Sequence, residues 1–344
     1  MIVQFTQSRN WLGASFAMGL VFRSVIGMAK ADAKKPDVVV AADGSGDFKT
    51  VQEAIDSVTT NDTTRTVIFI QPGTYKEKLR VSSDKKHLKL MGESYQNTIL
   101  TYDDYGGKTS DYASTRIRAD DFFAERLTFQ NTIDSRSGIK GGQAAALRVD
   151  GDRAIFYKCR ITGFQDTYYT GGNKRSYHKE CIIEGTTDFI YGNGIALFED
   201  CTINNRKDSH ITAHNQKLKD GKSANKFGYV FKNCKIKVYP GETVTKASLG
   251  RPWGNGARVA YLDCTMGAHI RKEGWSIWNG RTNHETAYYA EYRNSGPGSD
   301  VANRLPWTHQ LIDEEAAGYT KENIFKADTT TATNLQGDWN PVIR

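Results

Sequence analysis

One pattern occurs twice between Cys159 and Asn193. Cys159 and Cys181 lie 22 residues apart, and three further pairs share this offset: Ile161 and Ile183, Gly163 and Gly185, and Asp166 and Asp188. A fixed offset that carries several residue types together indicates a structural repeat. A period in the low twenties is typical of one coil of a parallel β-solenoid, in which coils stack at a strand spacing of about 4.8 Å. The sequence therefore predicts a solenoid with Asp166 and Asp188 as neighbours on one face.

A second motif marks the other coils: an aromatic residue, a Cys three residues later and an apolar residue two residues after that. Four segments have it: Phe156–Ile161, Phe198–Ile203, Phe231–Ile236 and Tyr261–Met266. Phe122–Leu127 aligns with them as a copy without the Cys, and His178 takes the aromatic position in the Cys181 copy. These short, recurring segments predict an all-β fold whose longer coils carry loop insertions.

The five cysteines share one register in this repeat. A ladder of small apolar side chains inside the solenoid accounts for that register. Adjacent coils also place Cα atoms at a separation that a disulfide can span, so one bridge, Cys181–Cys201, stays open as an alternative. An odd number leaves at least one thiol free in either case. A metal site is not expected, because the chain has no C-x-x-C pair and no Cys/His cluster.

The two ends of the solenoid have helical sequences. Thr50 and Glu53 form a capping box, and apolar residues recur at helical spacing within 51–58. This predicts a short helix that covers the N-terminal end, where unpaired strand edges would otherwise meet water. Thr308–Phe325 holds short helical runs that could close the far end. We expect residues 34–344 to form a single domain, and a monomer, because a capped solenoid needs no partner to bury its ends.

Residues 1–33 have the pattern of a secretory signal peptide. Arg9 precedes an apolar run, Trp11–Phe22, that is too short to span a bilayer. Alanines at positions 29, 31 and 33 offer two cleavage sites, and the rest of the chain has no apolar stretch long enough for a membrane helix. We therefore expect an exported protein, in the periplasm or the medium, without a membrane anchor. An ordinary N-terminal segment is the alternative.

The net charge of +7 favours a polyanionic partner. No run of Lys and Arg is dense enough to form a nucleic-acid-binding arm, so nucleic acid is not expected to bind. An acidic polysaccharide fits the charge better.

The repeated aspartates are the best candidates for chemistry. Two carboxylates on neighbouring coils cannot both ionise comfortably, so one should be protonated and the other charged. A lone Asp in a Gly-rich turn is usually a solvated turn residue, but the shared offset distinguishes Asp166 and Asp188. Asp208 falls in the same register after Cys201, which shows that the offset alone does not establish a function.

Several motifs in one order identify a family. They are GGQAAALRVDGDRAIFYKC (141–159), GFQDTYY (163–169), GTTDFIYGN (185–193), LGRPW (249–253) and GWSIW (274–278). Together they resemble the pectin methylesterases of microbial type, from about Val39 to Pro341, which is nearly all of the expected mature chain. The resemblance implies a right-handed parallel β-helix that hydrolyses the C6 methyl esters of polygalacturonate in pectin. It implies no metal and no organic cofactor.

The resemblance also implies a role for each motif residue. Asp188 matches the nucleophile that attacks the ester carbonyl, and Asp166 matches the general acid that protonates methanol and then activates water. Gln143 and Gln165 match the side-chain amides that stabilise the oxyanion. Arg251 matches the arginine that orients the nucleophile. A permanent positive charge beside a carboxylate nucleophile and a protonated neighbour agree with those roles.

Aromatic residues suit a sugar-binding groove, because their rings can stack on the apolar faces of sugars. Trp253 matches a substrate-contacting aromatic of the family, and we expect Phe164, Tyr169 and Trp278 to line the same groove. Packing inside a coil is the alternative for each. Tyr191 stands where the family usually has Phe, which bears on substrate preference rather than on the reaction.

Two other functions stay open on the sequence. Paired carboxylates could hydrolyse a glycosidic bond, and a lyase could use an arginine as its base. The clustered Asp signature of the hydrolases and the acidic calcium cluster of the lyases are both missing. A non-catalytic solenoid could also bind acidic polysaccharide through charge and aromatic rings. A binding module has no need of a stacked acid pair, which favours the esterase.

Overall fold

A computed structural model of the protein describes Met1 and residues 35–59, 64–219, 221–223, 225–327, 335 and 337–343. Pro36–Arg344 forms one compact unit. The signal peptide expected at residues 1–33 lies, apart from Met1, outside the described residues. Among the described residues, no helix has both the length and the apolar character needed to cross a membrane.

Three parallel sheets run along this unit, and successive strands visit them in turn. Strands are numbered here in chain order. The first sheet has eleven of them: β1 (Val38–Val40), β2 (Thr66–Ile70), β5 (Leu88–Gly92), β8 (Phe123–Glu125), β11 (Ala154–Tyr157), β14 (Arg175–Lys179), β17 (Ile195–Glu199), β22 (Tyr229–Lys232), β25 (Arg258–Leu262), β27 (Tyr288–Tyr292) and β28 (His309–Gln310).

The other two sheets complete each coil. The second has eight strands: β3 (Gly73–Lys76), β6 (Thr98–Tyr102), β9 (Thr128–Asn131), β12 (Arg160–Thr162), β15 (Ile182–Gly185), β18 (Thr202–Asn205), β23 (Lys235–Val238) and β26 (Thr265–Met266). The third has seven: β4 (Leu79–Val81), β7 (Thr115–Ile117), β10 (Leu147–Val149), β13 (Tyr168–Thr170), β16 (Ile190–Gly192), β19 (His210–His214) and β24 (Ser248–Pro252). An antiparallel hairpin, β20 (Leu218–Lys219) and β21 (Lys222–Ser223), stands apart. The all-β parallel solenoid predicted from the repeat is confirmed.

Equivalent residues of successive coils stack inside the solenoid. His178 lies between Phe156 and Phe198, with ring centroids 4.8 and 4.7 Å away. The row continues through Phe231 and Tyr261 at centroid distances of 4.5 and 4.3 Å. The prediction that His178 takes an aromatic position is therefore confirmed. Such stacked rings stabilise the core beyond the area that they bury.

The alignment of Phe122–Leu127 with the other copies is wrong by two residues. Phe156 pairs with Ala124 rather than with Phe122. Arg160 pairs with Thr128, so Leu127 takes the place of the cysteines. A shift of two residues preserves the alternation of inward and outward side chains, so the hydrophobic pattern could not determine this register.

All five cysteines are buried free thiols, so the bridge considered between Cys181 and Cys201 is not formed. Within the ladder, the sulfur atoms contact backbone carbonyl oxygens. The Sγ of Cys181 lies 3.3 Å from the carbonyl oxygen of Phe156, and the Sγ of Cys234 lies 3.3 Å from that of Phe198. The thiols thus act as weak donors to the preceding coil, and neighbouring thiols of the ladder also interact with each other. Burial raises the pKa of the Cys181 thiol, which keeps it unreactive.

Helix α1 (Val51–Ser57) covers the first coil, where the capping box predicted a helix. Thr50 is its N-cap: the backbone N–H of Glu53 donates to Thr50 Oγ1 at 3.3 Å, and Thr50 Oγ1 donates to the Glu53 carboxylate at 2.8 Å. Val51, Ala54 and Ile55 are fully buried in the main core. Their burial seals the end of the solenoid against water.

Two short helices follow the last coil, α2 (Asp313–Ala317) and α3 (Lys321–Ile324), and two single 3₁₀ turns lie in loops (Ser135–Ser137 and Asn283–Glu285). The expectation that the C-terminal helices close the far end is wrong. Ile324 and Phe325 pack with Tyr177 and Leu197 on the outer face of the first sheet. This face carries its own row of apolar residues, which the C-terminal segment shields from water.

Arg175 fastens that segment to the first sheet. Its side chain is fully buried and forms an ion pair with Asp152 at 2.7 Å. Its guanidinium also donates to the carbonyl oxygens of Phe325 and Gly337, at 2.9 and 2.7 Å. A buried charge needs such a complete set of partners. The C-terminal segment therefore lies along the side of the solenoid.

Replacing His178 by phenylalanine is expected to make folding less sensitive to acid. Burial lowers the pKa of His178 to about 3, whereas an unfolded histidine has a pKa near 6.5. Below about pH 6.5 the unfolded chain therefore binds a proton that the folded protein does not, and stability is lost as the pH falls. At pH 5 this penalty is about 2 kcal/mol. The variant avoids it, because Phe fits the stacked row without a titrating group.

Urea unfolding at pH 7 and pH 5 measures the effect. The variant loses the 2.9 Å hydrogen bond between His178 and the Tyr168 hydroxyl, which should cost about 1 kcal/mol at pH 7. Its loss of unfolding free energy between pH 7 and pH 5 should be about 2 kcal/mol smaller than that of the wild type. His309→Gln, at an exposed histidine, is the control. Equal pH dependence in wild type and His178→Phe would contradict the prediction.

Candidate active site

The two repeated aspartates lie where successive coils enter the third sheet. Tyr168 pairs with Ile190 across β13 and β16, and Asp166 and Asp188 each come two residues earlier. Both have left-handed backbones, with φ of 59° and 49°, a conformation that Asp adopts more readily than most residues. The N–H of Asp166 donates to the carbonyl of Thr187 at 3.0 Å. The structure thus places the two carboxylates on neighbouring coils of one face.

A cavity of about 230 Å³ opens beside this pair. It brings together all five polar residues predicted for catalysis, two of the predicted aromatic residues, and two residues that were not predicted to line the site. Its lining consists of Gln143, Gln165, Asp166, Asp188, Arg251, Trp253, Trp278, Tyr191 and Ala213.

Arg251 binds Asp188 through two parallel hydrogen bonds. Nε lies 3.0 Å from Oδ1 and Nη2 lies 2.6 Å from Oδ2. Nη1 donates to the Asn279 side-chain oxygen at 3.1 Å, and the guanidinium carbon lies 4.1 Å from the centre of the Trp278 ring. Asn279 and Trp278 therefore fix the guanidinium in the orientation that binds the carboxylate. This bidentate pairing favours the charged form of Asp188.

The two carboxylates have different environments. Burial and the negative charge of Asp188 raise the pKa of Asp166 well above its ordinary value, and Arg251 opposes this through its charge alone. Burial also raises the pKa of Asp188, but there Arg251 opposes burial with direct hydrogen bonds as well as charge. Asp166 is therefore the member of the pair whose protonated form is favoured more strongly, and Arg251 favours the charged form of Asp188. A difference of this kind between two neighbouring carboxyls is what acid–base chemistry requires.

Gln143 and Gln165 face the cavity with unengaged side-chain amides. Within the described part of the chain, neither amide donates to a protein acceptor. A neighbouring loop holds the backbone of Gln143, because the Gly106 N–H donates to the Gln143 carbonyl at 2.7 Å and the Gly107 N–H donates to the Gly141 carbonyl at 2.9 Å. The two amides are thus free to donate to a ligand in the cavity.

The predicted aromatic residues divide into two groups. Trp253 and Trp278 stack with ring centroids 5.8 Å apart, and both line the cavity. Tyr169 lies beside it, one coil before Tyr191 in the same row of the third sheet, with ring centroids 5.0 Å apart. Tyr169 therefore contacts a residue of the cavity wall but does not itself line the cavity.

Phe164 lies elsewhere, and the structure does not bring it into the cavity. Its ring is placed between two guanidinium groups, 5.0 Å from Arg136 and 4.8 Å from Arg206. These cation–π contacts hold the ring on the turn that precedes the third sheet. Its binding of substrate stays a prediction, without support from the cavity.

Three residues of this site were not predicted to line or support it, although Tyr191 is noted above as a departure from the family. Tyr191 carried a signal, because it follows Tyr169 by the repeat offset of 22 residues. Asn279 directly follows Trp278, but nothing in the sequence links it to Arg251. Ala213 carried no signal, because its contribution is a small side chain in the cavity wall.

Asp208 does not extend the row of aspartates. Ile190 pairs with Thr212, so His210 is the residue that stacks after Asp188. Asp208 instead accepts hydrogen bonds from the backbone N–H groups of Thr245 and Lys246, at 2.6 and 2.7 Å. Asp208 is therefore a turn residue, which agrees with the expectation that the shared offset alone does not establish a function.

A family model for pectinesterase matches residues 37–328. The chain belongs to the pectinesterase family. Members are carboxylic ester hydrolases, and this chain is one. Pectinesterase 31 of Arabidopsis thaliana is 39% identical over 300 residues, which cover 83% of this chain and 91% of that protein. Pectinesterase 4 of the same plant is 35% identical, and the match covers 84% of this chain but only 50% of that longer protein.

Solved structures share the fold. Pectin methylesterase from carrot has a TM-score of 0.79 and 31% identity, over 86% of this chain and 94% of that one. PemA from Erwinia chrysanthemi has a TM-score of 0.76 and 29% identity, over 91% of this chain and 100% of that one. These neighbours are right-handed parallel β-helices, the fold that the motifs of this pectinesterase predicted.

Proposed function

We propose that this pectinesterase hydrolyses the C6 methyl esters of galacturonate units in pectin to methanol and free carboxylate. One observation carries the proposal: Asp188, held by two hydrogen bonds from Arg251, and Asp166, on the neighbouring coil, line one cavity with two unengaged amides. The names of similar proteins support the substrate. One similar structure, with a TM-score of 0.74 and 28% identity, is a pectin methylesterase in complex with a hexasaccharide.

In the first step, an oxygen of the ionised Asp188 attacks the ester carbonyl carbon. The electron pair of the carbonyl double bond moves onto its oxygen, which becomes an oxyanion. Gln143 and Gln165 donate their amide N–H groups to that oxygen. A preorganised donor of this kind lowers the barrier by about 3 kcal/mol.

In the second step, the bond between the carbonyl carbon and the methoxy oxygen breaks. Asp166 gives its proton to the departing oxygen, so methanol leaves as a neutral molecule. The product at the enzyme is an anhydride between Asp188 and the galacturonate. Asp166 is now ionised, and it can act as a base in the next step.

In the third step, Asp166 takes a proton from a water molecule while the water oxygen attacks the galacturonyl carbon. The same two amides stabilise the second oxyanion. The anhydride bond then breaks, Asp188 leaves as a carboxylate, and Asp166 again carries its proton. The new galacturonic acid group loses its own proton to solvent, which completes the cycle.

The remaining surroundings suit a polymeric, acidic substrate. Trp253 and Trp278 present ring faces to sugars, and the net charge of +7 attracts a polyanion. Pectin lies outside cells, so we also propose that the enzyme is exported and that residues 1–33 act as its signal. We also propose a monomer, and the only support for it is that helix α1 covers the N-terminal end of the solenoid.

Product analysis tests the reaction class. Highly methylated pectin is incubated with the enzyme, and methanol, reducing ends and unsaturated products are measured in the same tube. We expect methanol without new chain ends. Reducing ends without methanol would favour a glycosidase, and unsaturated products would favour a lyase. Retained binding to pectin without any product would indicate a binding protein and overturn the proposal.

A further inference from the structure

Two tyrosine hydroxyls meet at the edge of the active-site cavity. The hydroxyl oxygens of Tyr112 and Tyr191 lie 3.2 Å apart. The residues come from distant coils: Tyr191 is on β16, and Tyr112 comes three residues before β7. Strands β10 and β13 lie between them in the third sheet. The pair therefore reaches over the coil that carries Asp166.

Tyr191 is held firmly in this position. Only 6% of its surface is exposed, and it lines the same cavity as Asp166 and Asp188. Its ring contacts Tyr169 and Trp253, with centroid distances of 5.0 and 6.4 Å. Packing on both sides leaves the hydroxyl little freedom, so its direction is set before a ligand enters.

One of the two hydroxyl hydrogens of the pair is not used in their mutual hydrogen bond. Each hydroxyl has one hydrogen, and their mutual bond uses only one of the two. Among the described residues, the second hydrogen has no protein acceptor. Because a half-buried O–H without an acceptor is unfavourable, the pair should donate to a water molecule or a ligand in the cavity.

The spare O–H of the pair needs an acceptor, and the carboxyl group of Asp166 can supply one through a water molecule. Burial raises the pKa of both phenols, and Asp166 raises it further when it is ionised, so both hydroxyls lie within electrostatic range of its carboxyl group. The remaining charges that face Asp166 are those of Asp188 and Arg251. Arg251 is engaged by Asp188, whereas the tyrosine pair has a spare donor and Tyr191 lines the same cavity as Asp166. A water molecule between the pair and Asp166 would have partners at both ends.

We propose that Tyr112 and Tyr191 are positioning residues for the hydrolytic water. The free O–H of the pair donates to the water oxygen, and the water donates to the ionised Asp166 that methanol departure leaves behind. This arrangement leaves a lone pair of the water free to attack the galacturonyl carbon. The tyrosines themselves exchange no proton. The inference rests on the proposed function, because it assigns residues to its third step.

Kinetics of Tyr191→Phe and Tyr112→Phe test this assignment. Removal of either hydroxyl should slow the hydrolysis of the acyl-enzyme but not its formation. We therefore expect kcat to fall about ten-fold, the size of one hydrogen bond to a positioned reactant, while kcat/KM changes less than about two-fold. A burst of methanol, close to one equivalent per enzyme, should become visible by rapid quenching. The double variant should lose no more than the worse single variant, because each hydroxyl works through the other.

Tyr95→Phe is the matched control, since it removes a hydroxyl on the turn between the first and second sheets and should change neither constant. Parallel losses of kcat and kcat/KM would show that the tyrosines shape the cavity in general, and would overturn the proposal. Unchanged kcat in both variants would overturn it as well. Failure of the proposed function has a different signature, because the wild type itself would then release no methanol.

Discussion

Asp188→Asn should lower kcat/KM for methyl-esterified pectin by at least about 10³-fold. The amide has nearly the shape of the carboxylate and can still accept one hydrogen bond from Arg251. It carries no charge, however, so it cannot attack the ester carbonyl. A continuous assay of methanol release measures the loss, and a thermal melt establishes that the variant is folded.

Asp208→Asn is the control for this change. Asp208 has the same offset from its cysteine as the two active-site aspartates, but it binds the backbone N–H groups of Thr245 and Lys246. Its replacement should leave kcat/KM within about two-fold of the wild type. Comparable losses in Asp208→Asn and Asp188→Asn would mean that charge removal, rather than the nucleophile, causes the effect.

Arg251→Gln should lower activity about 10²-fold at pH 7 and displace the acidic limb of the pH profile to higher pH. Burial raises the pKa of Asp188, and Arg251 is the group that opposes it. Without the guanidinium, the pKa of Asp188 rises further and the carboxyl is protonated at neutral pH. Raising the pH restores the ionised nucleophile, so the displacement should be at least about one pH unit.

The dependence of kcat/KM on pH between 4 and 9 measures this displacement. Arg153→Gln is a close control, because Arg153 also binds a left-handed aspartate, Asp121, through two hydrogen bonds of 2.7 Å. That pair lies away from the cavity, and its loss should leave the acidic limb unchanged. A lower rate with an unchanged limb in Arg251→Gln would mean that the arginine acts on the substrate instead of on Asp188.

The sequence predicts the centre of the site because the site is built on the repeat. Residues at equal offsets occupy equal places on neighbouring coils, so the spacing alone placed Asp166 beside Asp188. The chemistry of a carboxylate pair then predicted that their proton affinities differ. The partner of Asp188 was harder to predict from the repeat, because Arg251 lies two coils further on. Only the family resemblance pointed to it.

Features that depend on contacts between distant segments were not predicted correctly. The shift of Phe122–Leu127 by two residues keeps every side chain on its expected face, so the pattern allows either register. The short C-terminal helices were predicted from helical runs, but only the row of apolar residues around Tyr177 on the outer face shows what the C-terminal segment covers. Tyr112 meets Tyr191 across 79 residues of sequence, and neither residue's neighbours encode that contact.

The most direct test of the account is whether an acyl-enzyme forms before water attacks. Methyl and ethyl esters of polygalacturonate are hydrolysed in the presence of hydroxylamine, and the ratio of hydroxamate to carboxylate product is measured for each. Covalent catalysis by Asp188 predicts the same ratio for both esters, because the alcohol has left before the anhydride at Asp188 meets either nucleophile. A ratio that differs between methyl and ethyl esters would show the alcohol still bound at that step, and would contradict covalent catalysis by Asp188.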